Sequence, residues 1–220
     1  MHSNTTQDNF EEFDNNISYI NDKNLLSRIW TNPSDTLNYI LKNCPDRYVT
    51  ILLVLGGIVR AITRASNRNM GDNMTTILVL AISIITGGLF GWITYYIYAW
   101  ALSLTGKWLG GESNPSKFRT VIAWALIPSI CSLILLIPEL IIFGDDLFKS
   151  QTVYKSEFIR YSWIAFGLTE LALSIWSITI LVIGIGILQK FGIGKSILNM
   201  ILPLLVLLIP IFAIVLITRV

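Results

Sequence analysis

Arg60, Glu139 and Glu170 are ionisable residues set inside, or at the edges of, runs that are otherwise apolar. A charge at the centre of a membrane-spanning helix costs on the order of 2.5–3.5 kcal/mol by insertion scales unless it faces protein or water. Such residues could bind or pass a proton, an ion or a lipid headgroup. Alternatively they form a structural pair that fixes how two helices pack. Glu170 shares a helical face with Gly167, Ser174 and Ser177, at spacings of three, four and three, so this face points inward.

These residues need elements to hold them, and composition says what kind. Hydrophobic residues make up 53% of the 220, charged residues only 14%, and mean hydropathy is +0.63. A water-soluble surface cannot absorb that composition, which marks an integral membrane protein. Five apolar runs are long enough to cross a hydrocarbon core of about 30 Å: Tyr48 to Ala65, Ile77 to Leu104, Val121 to Phe143, Ser162 to Leu188 and Ile197 to Thr218. Their unbroken apolar character predicts helices; barrel strands would be shorter and would alternate. The first run reaches full length only with Arg60 inside or near the edge of the bilayer.

Entered from opposite sides, Arg60 lies ~18 Å and Glu170 ~12 Å into a core of about 30 Å, so their depths coincide. An Arg60–Glu170 contact is therefore expected, with Glu139, nearer the outer interface, as a second partner. Arg64 and Arg68 are expected to face solvent or lipid phosphate. Ser83, Gly87 and Gly91 form a small-residue row on the second span, a surface for close helix packing within the bundle or between protomers. Trp92, Tyr95, Tyr96, Tyr98, Trp100 and Trp108 crowd one half of that span, as an interfacial aromatic belt would. Pro128, Pro138, Pro203 and Pro210 predict kinks in the third and fifth spans.

The chain divides into a polar head, residues 1–24, expected to be disordered; an amphipathic interfacial segment, 25–47; and a five-helix transmembrane domain, 48–220. In the middle segment Asn32, Pro33, Ser34 and Asp35 open a helix whose Leu37, Ile40 and Leu41 share one face. It would lie in the headgroup region or pack on the other loops. No signal-peptide pattern is legible in the head, so the first span is expected to direct insertion. Lys and Arg residues divide nine to seven between the two sides, favouring a cytoplasmic N-terminus.

Other chemistry is thin. Cys44 and Cys131 have neither disulfide nor metal-ligand placement, His2 lies in the head, and Gly184-x-Gly186 and Gly192-x-Gly194 follow a span instead of opening a helix after a strand. No enzyme chemistry, cofactor, metal or nucleic-acid partner is expected; membrane lipids, a membrane-protein partner or a second copy of the chain are.

The run "WLGGESNPSKFRTVIAWALIP" carries Gly110, Gly111, Lys117, Arg119, Trp124 and Pro128, and is expected to form a cytoplasmic loop motif. Together with "GGLFGWITYYIYAWALSLTG" before it, "IWSITILVIGIGILQKFGIGKSILN" after it and "IWTNPSDTLNYIL" upstream, it resembles a prokaryotic member of the Yip family of Ypt/Rab-interacting membrane proteins. The resemblance runs from about Ile29 onward. It implies five spans, a cytoplasmic N-terminus and a membrane-organising or partner-recruiting role. Eukaryotic members serve Golgi and early secretory traffic and contact Rab GTPases; their cytosolic domains are longer than this Asn-rich head. The other class of function compatible with the residues is a small transporter, channel or lipid-translocating protein built on Arg60, Glu139 and Glu170.

Overall fold

The computed structural model describes residues 24–112, 114–150 and 156–218, with side chains described as far as Val206. The head to residue 23, Lys155 and Arg219 lie outside the described residues, as does the side chain of Pro210. The described residues are all-helical. In chain order they form α1 (Leu25–Thr31), α2 (Pro33–Asn43), α3 (Val49–Asn67), α4 (Thr76–Trp108), α5 (Pro115–Ala125), α6 (Ile127–Phe143), α7 (Glu157–Gln189) and α8 (Ile193–Thr218). Short 3-10 turns at Met70–Asp72 and Gly144–Phe148 close the loops after α3 and α6.

Four helical stretches are long and apolar enough to cross a membrane: α3, α4, the α5–α6 pair with its 3-10 extension (Pro115–Phe148), and α7. Large apolar side chains cover the outside, with Ile77 82% and Ile141 79% exposed, as suits a lipid-facing surface. The third stretch is longer than its apolar run because Asn114 caps it: Asn114 Oδ1 accepts the Lys117 N–H at 3.1 Å, and Pro115 takes the first helical turn. It breaks at Leu126. Pro128 has no N–H to continue the ladder, while the backbone N–H of Ile130 reaches Leu126 O at 2.8 Å and restarts it. Pro138 sits inside α6 without interrupting it.

That geometry corrects the expected loop motif. Lys117, Arg119 and Trp124 lie in α5 and Pro128 at the start of α6. Trp124 is fully buried in the main core, its ring centroid 6.2 Å from that of Tyr48. The motif residues of the connection itself are Gly110, at φ +89°, and Gly111. A polar knot anchors the connection: the Gly111 N–H reaches Gly106 O at 2.9 Å, Thr105 Oγ1 donates to buried Asn199 Oδ1 at 2.8 Å, and the Gln189 side-chain amide lies against Gly106 and Gly111, where a Cβ would displace it. Tyr98 Oη adds a 3.0 Å bond to Met200 O, so α4 is tied to α8 at two levels.

Two apolar cores divide the bundle. The larger gathers Leu25, Ile29, Leu37, Leu53, Trp124 and Ile185; the smaller gathers Ala65, Val79, Phe143, Leu147 and Phe148. In α2 the buried residues are Thr36, Leu37 and Ile40, and the helix packs on α7 and α5, where Gly184 leaves room for the Leu37 and Val121 side chains. Its apolar face is thus covered by protein. At the other end Ser66 Oγ donates to Leu147 O at 3.3 Å and Thr76 Oγ1 to Asp145 Oδ1 at 2.7 Å, joining the loops after α3 and α6.

Candidate functional site

Along α3 the two cores are represented by Leu53 and Ala65, and Arg60 falls between them. Residues four apart lie on one helical face, so Arg60, Arg64 and Arg68 form a row of three guanidinium groups running from between the cores to the end of the helix. All three are exposed within the protein. A cleft of about 480 Å³ follows this row; Tyr95 of α4, Ser129 and Ser132 of α6, and Glu170 and Ser174 of α7 complete its walls.

Arg60 and Glu170 therefore face one cleft, but no ion pair joins them among the described residues. The expected contact is corrected for a lateral reason. Matching depth places two side chains at one level without making their helices neighbours. Helix α3 packs mainly on α4, with α5 and α6 also against it, and α7 packs on α6, α8 and α5. Leu126, Ser129 and Ser132 lie on the cleft wall between them.

Glu139 is corrected as well. Instead of lying at the interface it is 6% exposed. It faces a smaller cavity of about 130 Å³, with Glu170, Ser132, Thr63, Phe148 and Trp163 among its lining. Glu170, Thr63 and Ser132 line both chambers, so the small cavity is an annex of the cleft. Below them, Ser129 and Ser177 hydroxyls lie 2.8 Å apart, and Ser177 Oγ accepts the Ser129 N–H at 3.1 Å. This satisfies a backbone donor left open at the start of α6. Ser177, expected on the Glu170 face, is thus a joint between α6 and α7.

On the opposite flank of α3, Arg60, Arg64 and Arg68 also border a cleft of about 360 Å³ whose far wall includes Ser83, Gly87 and Gly91 of α4. There the two backbones meet: a Cβ on Gly57 would stand 2.6 Å from Gly87 O. The small-residue row therefore packs against α3 within the bundle, with Ser83 and Gly87 buried and Gly91 half-buried. The remaining candidates stay apart from this site, at the α4–α5 end, where the Arg119 guanidinium lies 4.6 Å over the Tyr96 ring.

Ser129, Ser132, Tyr95 and Trp163 were not picked out as site residues from the sequence. Ser129 and Ser132, three apart in an otherwise apolar span, carried a legible signal for a polar face. Tyr95 and Trp163 carried none beyond their aromatic character. No group of three or more metal-ligating residues occurs among the described residues.

Helices of this length and hydropathy, with charged groups lining the clefts between them, define an all-helical multi-pass membrane protein. The family model described as the Yip1 domain matches residues 27–214, and the chain belongs to the Yip family. No curated protein and no solved structure gives a match.

Proposed function

We propose that this Yip-family protein is a non-enzymatic organiser of its membrane that works by engaging lipid at the α3–α6–α7 cleft. The observation that carries this reading is that Arg60 and Glu170 share a cleft without pairing to each other. Charges held between membrane-spanning helices and not consumed by a mutual contact are available to a ligand. The fifth span is α8, whose 26 residues make ~39 Å of helix, enough to cross the bilayer. The proposal further places the N-terminus on the cytoplasmic side of a prokaryotic cytoplasmic membrane, with membrane lipids as partners and a membrane protein or second copy as an additional one. A membrane-trafficking-like role, with the basic α4–α5 region recruiting that partner, is part of this reading, and membership of the family supports it. The test is lipid retention: wild type, Arg60→Ala and Glu170→Gln are purified, their bound lipids weighed by native mass spectrometry and their thermal unfolding recorded. Loss of lipid without loss of stability supports the proposal, and a wild type that retains no lipid overturns it.

The second reading is a small transporter, channel or lipid translocator, favoured by the annex in which Glu139 and Glu170 face one cavity. In liposomes it requires proton, ion or fluorescent-lipid flux that Glu170→Gln abolishes.

A further inference from the structure

We infer that the cleft and its annex together form a site for a zwitterionic phospholipid headgroup, a phosphate ester carrying a primary ammonium. The inference rests on the lipid-engaging reading above and specifies its ligand. The arginine row supplies the phosphate half: Arg60, Arg64 and Arg68 all line the 480 Å³ cleft, and guanidinium groups present planar forks of N–H donors that match phosphate oxygens. None of the three forms an ion pair among the described residues. The row ends beside the loop after α3, so a headgroup at the membrane surface meets Arg68 first and Arg60 last.

The annex supplies the ammonium half. Two carboxylates facing one small cavity repel each other, and a bound cation relieves that repulsion. Glu139 is a buried residue on this cavity, and a primary ammonium brings three N–H donors to its carboxylate. A quaternary ammonium brings none. Glu170 lines both chambers, so a phosphate in the cleft and an ammonium in the annex would sit on two sides of one side chain, as the two ends of a short headgroup must. An anionic lipid without an amine would satisfy the arginines and leave the carboxylates facing each other.

The experiment titrates the full-length protein in detergent with short-chain phosphatidylethanolamine, phosphatidylcholine and phosphatidylglycerol, reading bound lipid by native mass spectrometry and the rise in unfolding temperature. The expected result is that phosphatidylethanolamine binds at least about tenfold tighter than either of the others, a difference of about 1.4 kcal/mol. This wild-type comparison needs no variant to fold. Glu170→Gln should then erase the preference for phosphatidylethanolamine, and Arg60→Gln should weaken binding of all three. Phosphatidylglycerol or phosphatidylcholine binding as tightly as phosphatidylethanolamine overturns the headgroup assignment but leaves lipid engagement standing. Binding of none of them overturns both.

Discussion

Gly57 of α3 and Gly91 of α4 meet backbone to backbone, and a Cβ added at Gly57 would lie 2.8 Å from Gly91 Cα and 2.6 Å from Gly87 O. Backbone cannot swing aside as a side chain can, so any larger residue must push the two helices apart. Gly57→Ala should therefore destabilise the bundle by about 1–3 kcal/mol, the ordinary cost of overpacking. Gly88→Ala is the contrast: its nearest neighbour would be Ile58 Cδ1 at 3.9 Å, and the gain in helix propensity is up to roughly 1 kcal/mol. Thermal unfolding in detergent checks both, and equal stability of the two variants would refute the close approach.

The relation between Arg60 and Glu170 makes a second prediction. A buried ion pair broken on one side costs about 3–5 kcal/mol. These two residues share a cleft without pairing, so single neutral substitutions should stay within about 1 kcal/mol of wild type. The charge-swapped double should show coupling below about 0.5 kcal/mol in a double-mutant cycle. A swap that rescues unstable singles would restore the structural-pair interpretation.

Thr105 and Asn199 provide a third test. Their 2.8 Å hydrogen bond is buried between α4 and α8. Hydrogen bonds between membrane helices average about 0.6 kcal/mol and reach about 1.7. The coupling of Thr105→Val with Asn199→Leu should fall in that range, and no coupling at all would show that the bond contributes nothing to docking α8.

Asp72 predicts a local dependence on pH. Its carboxylate accepts the Ser150 N–H at 3.0 Å, and this bond holds its pKa below the usual 3.8. The carboxyl is depressed in the folded state, so its contribution is complete above the ordinary carboxylate value and is lost as pH falls below it. Hydrogen exchange of the Ser150 amide, compared with Asp72→Asn at each pH, should show protection that disappears in acid only for wild type. Because Asp72 is fully exposed, the effect belongs to the loop and should leave global unfolding unmoved.

The long apolar runs made four of the spanning helices legible because lipid demands both length and continuous hydropathy, and Thr76–Trp108 begins one residue from its expected start. The Asn114 cap and Pro115 lie in plain view in the sequence, but a polar first turn resembles a turn between spans. That Arg60 and Glu170 belong together was legible as far as their lining of one cleft. What hydropathy does not encode is which helices are neighbours. That depends on features such as Gly57 fitting Gly87 and Gly91, and on the α6 serines standing between α3 and α7. Glu139 was misplaced for the same reason, because its burial comes from the helices around it and not from its position in α6.

The knot around Asn199 also implies an order of assembly. Chains emerge N-terminus first, so α4 with Thr105 and Gly106, and α7 with Gln189, are in the bilayer before α8 arrives. Asn199 then brings its side-chain oxygen to the Thr105 hydroxyl, 2.8 Å away on α4. Helix α8 is thereby bolted to α4.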